Sequence, residues 1–169
     1  LRNSVLDGFE SSHGVLHEKD PTITLQSVKV KEASLILPTF SINVSLGVLL
    51  TVENPNFGSF SYHNSTAYLK YRGRLLATAP VHEDTLPARG SLNISTSLDV
   101  YVDDMTKFLD LVGDYLKGVI NFTSTTTLEG RVKVLKLFKT KATSSSFCDL
   151  SVFVNDKTVN STCEIDVKL

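Results

Sequence analysis

The chain has 169 residues, enough for one domain with its own hydrophobic core. Apolar residues make up 41% and charged residues 21%, which excludes a disordered chain, and no run reaches the eighteen or more apolar residues of a spanning helix. A formal net charge of −1 supplies no global field to attract nucleic acid or a membrane surface.

Leu1 to Asp20 mixes Gly8, Ser11, Ser12 and Gly14 with charges and has no sustained period. It reads as a flexible N-terminal arm or linker before a domain over 21–169. It also lacks a signal peptide's apolar segment, so the delivery signal is expected outside this sequence. Thr22 to Lys31 alternates, but Ile23 and Leu25 lie on one phase and Val28 and Val30 on the other, which predicts a bulge. Phe40 to Glu53 is the clearest strand: Ile42, Val44, Leu46, Val48, Leu50 and Val52 repeat every second residue until Asn54-Pro55-Asn56 stops them.

Ser61 to Tyr71 and Leu75 to Val81 flank Arg72-Gly73-Arg74 and read as a hairpin. Leu92 to Val102 is a further strand. Asp103 to Lys117 then reads as one helix, with Met105, Phe108, Leu109, Val112, Tyr115 and Leu116 on its core face, Asp103 as N-cap and Gly118 as the stop. Val119 to Leu128 and Arg131 to Lys141 return to strand around Glu129-Gly130, and Phe147 to Val154 and Thr162 to Leu169 close the chain. Seven to nine strands, punctuated by turns about every dozen residues, predict an all-β sandwich with one helix rather than an α/β fold.

Five N-x-Ser/Thr sequons begin at Asn43, Asn64, Asn93, Asn121 and Asn160, where about two would be expected by chance. Asn43, Asn93 and Asn121 fall on the polar phase of their strands, where an N-linked glycan projects into solvent. The two cysteines lie on apolar phases, Cys148 with Leu150, Val152 and Val154, and Cys163 with Ile165, Val167 and Leu169. A bond between them across a hairpin is worth about 3 kcal/mol. Sequons and cysteines together predict an extracellular or lumenal compartment.

Chemistry is sparse. His13 and His17 have i, i+4 spacing without a third ligand, and His63 and His82 read as surface residues, so no metal or cofactor is expected. Asp103, Asp104, Asp110 and Asp114 read as helix solvation and dipole compensation, with Asp110 and Asp114 opposite the core. No catalytic residue emerges. Arg131, Lys133, Lys136, Lys139 and Lys141 are read first as lysine protection of an edge strand, and second as a contact for anionic lipid or acidic wall polysaccharide.

Asn54-Pro55-Asn56, then Ser65-Thr66-Ala67-Tyr68-Leu69-Lys70-Tyr71-Arg72-Gly73 and Leu86-Pro87-Ala88-Arg89-Gly90-Ser91, with a C-terminal cysteine pair, resemble the plant group-2 late-embryogenesis-abundant domain, in its harpin-induced-like, hydroxyproline-rich glycoprotein branch. The resemblance spans roughly Asp20 to Leu169. It implies an immunoglobulin- or fibronectin-III-like sandwich, a membrane helix upstream, an apoplastic or lumenal position and a part in stress or defence, with no catalytic residues. Three functions are then in play. The first is a non-catalytic interaction domain between plasma membrane and wall, with a protein or cell-wall partner. The second is a lipid or apolar-ligand module lined by Phe108, Leu109, Val112, Tyr115 and Leu116. The third, a wall-carbohydrate hydrolase, requires two opposed carboxylates from among Asp103, Asp104, Glu129 and Asp149.

Overall fold

A computed structural model describes residues 21–36, 41–134 and 138–169; the arm over 1–20, with His13 and His17, and Lys136 lie outside the described residues. In chain order the elements are β1 (Thr22–Ile36), β2 (Ser41–Glu53), β3 (Gly58–Tyr62), β4 (Ser65–Tyr71), β5 (Arg74–Val81), β6 (Asp84–Leu86), β7 (Ser91–Val102), α1 (Met105–Lys117), β8 (Val119–Val134), β9 (Phe138–Phe153) and β10 (Thr158–Lys168).

The alternation of β2 places its apolar side chains on one face, and both neighbours match it. Val52, Leu50, Val48 and Leu46 stand opposite Ile23, Leu25, Val28 and Val30 of β1, while Val44, Leu46, Leu50 and Val52 stand opposite Val100, Leu98, Ile94 and Leu92 of β7. The phase change in β1 is absorbed by a register shift between Leu25 and Ser27, so its four aliphatic residues share that face.

The chain is all-β with one helix among the described residues. The division into two sheets that an immunoglobulin- or fibronectin-III-like sandwich of seven to nine strands requires does not appear in the pairing. Ten strands join in one curled antiparallel sheet, ordered β1-β2-β7-β5-β4-β8 with β3 and β6 beyond, and β9 and β10 attached through β8. The reason lies in β8. Its 16 residues pair along one edge first with β4, at Thr123–Thr126, and then with β3, at Gly130–Val134, while β9 follows the whole of the other edge. Glu129-Gly130 is therefore not a turn between strands; β8 runs through it.

The inner face holds two packed clusters. Tyr71, Leu76 and Val102 are buried with Ile42, Val100, Phe108 and Phe122 around them; farther along, Val132, Val134 and Ala142 pack with Phe60 and Val167. Gly118 ends α1 in the left-handed region at φ 94, its N–H donating to the carbonyls of Asp114 and Tyr115. The N-cap is Asp104, one residue later than predicted: its Oδ1 accepts from the Thr106 N–H at 2.7 Å.

Candidate functional site

The helix does not build the predicted lining. Phe108 packs onto the inner cluster together with Leu111, which the sequence reading left out, whereas Leu109, Val112, Tyr115 and Leu116 are exposed, Leu116 at 78%. Apolar residues occupy nearly half the circumference of α1, so their pattern alone leaves two ways to seat it. Polar anchors on the sheet choose between them. Asp114, three residues beyond Leu111, faces the sheet: the hydroxyl of Tyr71 donates to its Oδ2. The Arg72 guanidinium lies 3.1 and 3.2 Å from its two carboxylate oxygens and 3.5 Å from Asp110. Arg74 pairs with Asp104 at 3.4 Å. Asp110 and Asp114 are thus anchors rather than solvated charges opposite the core. Their partner Arg72 is presented by a tight turn with φ 51 at Arg72 and φ 79 at Gly73.

This latch shifts its own acidities. The Tyr71 hydrogen bond, and then Arg72, hold the Asp114 carboxyl below the usual carboxylate range, while burial, reinforced by Asp114, pushes the Tyr71 phenol up. A depressed carboxylate adds stability above its unfolded pKa of about 3.9, lost as pH falls through the folded value; a raised phenol adds stability below about 10, lost as pH rises through its folded value. Melting temperature against pH should fall at both ends, and Tyr71→Phe should flatten both limbs.

Beyond α1 no described element covers the inner face. The columns of β1, β2 and β7 carry aliphatic side chains in register, yet Leu25, Val28, Val30 and Leu35 are exposed at 37–66%. The helix, packed near Ile42 and Val100, closes only one end of this trough.

The outer face is polar. Asn43, Asn93, Asn121 and Asn160 all project from it, opposite Tyr101, Thr51, Ser151 and Ser151 respectively, and Asn64 lies between β3 and β4; all five are exposed. Thr51 donates to Asn93 Oδ1, Ser151 to Asn121 Oδ1 and the Glu83 N–H to Asn64 Oδ1, so in each the oxygen is engaged and Nδ2 is the atom left for a sugar. The sulfurs of Cys148 and Cys163 are bonded across directly opposed positions of β9 and β10, with Cα atoms 4.1 Å apart.

A polar cleft of about 440 Å³, lined by His63, Asn64, Thr66, Tyr68, Thr127 and Glu129 among others, opens where β8 passes from β4 to β3. Sequence reading missed it, because its residues are chemically ordinary and come from separate strands. His82 is exposed. Among the described residues no group of three His, Cys, Asp or Glu converges on a metal-sized site. The carboxylates a hydrolase would need are scattered: Asp104 caps the helix, while Asp149 stands opposite Thr123, six residues or about 20 Å along β8 from Glu129.

The Asn-Pro-Asn motif is a knot in the chain. Asn54 is buried; its Nδ2 donates to the carbonyls of Gly58 and Pro87, and its Oδ1 accepts from the Asn56 N–H. Arg89 stacks 4.4 Å from the Phe57 ring centre and donates to the Pro55 carbonyl. The Asn54–Gly58 stretch and the Pro87–Arg89 loop are thereby tied together.

No curated relative matches the chain. Solved structures that resemble it include the following two. One is the crystal structure of a protein from Archaeoglobus fulgidus, 11% identical, covering 83% of this chain and 96% of its own, with a TM-score of 0.34. The other is the solution structure of a candidate late embryogenesis abundant protein, 17% identical, covering 92% of this chain and 86% of its own, with a TM-score of 0.24. At such scores neither superposition carries an argument. The family model described as late embryogenesis abundant protein, group 2, matches residues 49–150, from within β2 to within β9 and through the Asn54 knot, the Tyr71–Arg72 turn and the Pro87 loop: the chain belongs to that family.

Proposed function

We propose that this domain is a non-catalytic binding module of a stress- or defence-response glycoprotein, facing the apoplast or secretory lumen where plasma membrane meets wall. In this reading its inner face receives an elongated apolar molecule, an acyl chain. One observation carries the ligand: the in-register aliphatic columns of β1, β2 and β7 with Leu25, Val28, Val30 and Leu35 exposed. Proteins rarely leave so continuous an apolar surface uncovered, and each Å² of it removed from water contributes roughly 25 cal/mol. Support for the compartment comes from the Cys148–Cys163 bond, which persists in oxidising surroundings, and from the five exposed sequons.

Protein secreted from a eukaryotic host should carry acyl lipid into native mass spectrometry and bind a fluorescent fatty acid. Val28→Asp, opposite Val48 in the trough, should weaken that binding by about tenfold or more, while Leu116→Asp on the outward side of α1 leaves it unchanged. Lipid-free protein that ignores the probe would sink the proposal.

A further inference from the structure

The geometry points to a second binding surface on the opposite face: we propose that Arg131, Lys133, Lys139 and Lys141 bind a polyuronate, a polysaccharide with carboxylates on successive sugars. In the register of β8 and β9, Arg131 stands opposite Lys141 and Lys133 opposite Lys139. All four are exposed, while Val132, Val134 and Ala142, on the alternate phase of the two strands, are buried, so the cations form a square on the outer face. Like charges directly opposed across strands are destabilising. Among the described residues none of the four makes an ion pair that would relieve this.

Edge protection accounts for Lys139 and Lys141, where β9 has run beyond its pairing with β10 among the described residues, but not for the other half of the square. At Arg131 and Lys133, β8 is flanked by β9 on one side and by Ser61 and Ser59 of β3 on the other, so two of the cations sit on an interior strand. A repulsive cluster held in a chain of net charge −1, with Arg131 and Lys133 on a strand that has no edge there to protect, fits an anionic ligand.

The surroundings favour a sugar polymer over a membrane. Hydroxyls of Ser59, Ser61, Thr85 and Thr143 share the face with the square, and when Asn64 carries no glycan the cleft with His63, Glu129 and the exposed Tyr68 ring follows along β8. Hydroxyls and an open aromatic ring suit saccharide hydroxyls and ring faces. From Thr125, opposite Tyr68, to Lys133 the strip measures about 26 Å, long enough for a chain of several sugars. The aliphatic columns that could enter a bilayer belong to the other face.

The proposal rests on the outward-facing setting above, but a binding assay with isolated polymers depends on neither compartment nor trough. Polygalacturonic acid, its fully methyl-esterified form, neutral dextran and phosphatidylcholine vesicles containing phosphatidylserine serve as probes by surface plasmon resonance. Binding to the free acid is expected, weakening as salt rises, with about tenfold or greater loss on esterification or in the Lys133→Gln/Lys139→Gln double variant. That variant should melt no lower than the parent, since it removes repulsion. Equal binding to ester or dextran, an unaffected variant, or binding confined to the vesicles would overturn the assignment.

Discussion

Gly130→Ala is expected to destabilise the domain by about 3 kcal/mol and to lower its melting temperature by roughly 6–12 °C. Gly130 lies where β3 crosses close over β8, with Tyr62 as its partner. A Cβ there would stand 2.7 Å from both the Ser61 carbonyl carbon and the Tyr62 Cα, and closer still to the Ser61 carbonyl oxygen. These are backbone atoms, so no change of rotamer relieves the clash. The strand itself must shift, and it carries buried Tyr62, its ring contact with Phe60, and the adjoining hydrogen bond from the His63 N–H to the Glu129 carbonyl. Gly113→Ala is the matched control. Nothing lies within 4 Å of its Cβ position, and alanine in mid-helix gains about 1 kcal/mol over glycine. Parallel urea and thermal unfolding should give opposite signs for the two alanines. A Gly130→Ala protein as stable as the parent would mean that β3 does not approach β8 as described.

Gly130 also marks where the sequence stops being legible. Between two strand-like runs, Glu129-Gly130 has the composition of a turn, and only a second strand at close range shows why glycine stands there. The same limit explains the basic segment, whose alternation is plain but whose interior position depends on β3, some seventy residues earlier. Period-two patterning reports which side chains share a face, not which strand comes next or whether a sheet divides. That is why β2, the bulge in β1 and the apolar phase of both cysteines could be read, while the single ten-stranded sheet could not. In α1 the apolar arc is broader than the surface it covers. Which half faces inward depends on Tyr71 and Arg72 meeting Asp114, a pairing of residues more than forty positions apart. The trough is a consequence of those same choices. Its aliphatic residues were visible as strand residues, and their exposure follows from how little of the sheet α1 covers.

Removing the disulfide, as Cys148→Ala/Cys163→Ala, should destabilise the domain by about 3 kcal/mol, the chain-entropy value for closing a loop of this length. The loss should concentrate in β10. That strand's pairing partner is β9, and along Thr158–Lys168 the bond joins the two near the middle of the register. Neither cysteine is fully buried, so alanine leaves only a small void, and the effect isolates the cross-link rather than lost packing. Hydrogen exchange distinguishes a local from a global loss. If β10 opens separately, amides of Thr162–Ile165 should exchange roughly a hundredfold faster while those around Tyr71 and Val102 change little. If the sheet unfolds as one unit, both sets should accelerate together, and the melting temperature should drop by roughly 6–12 °C. A loss below about 1 kcal/mol with unchanged exchange in β10 would show that strand pairing alone holds this edge, and would weaken the disulfide's use as a marker of an oxidising compartment.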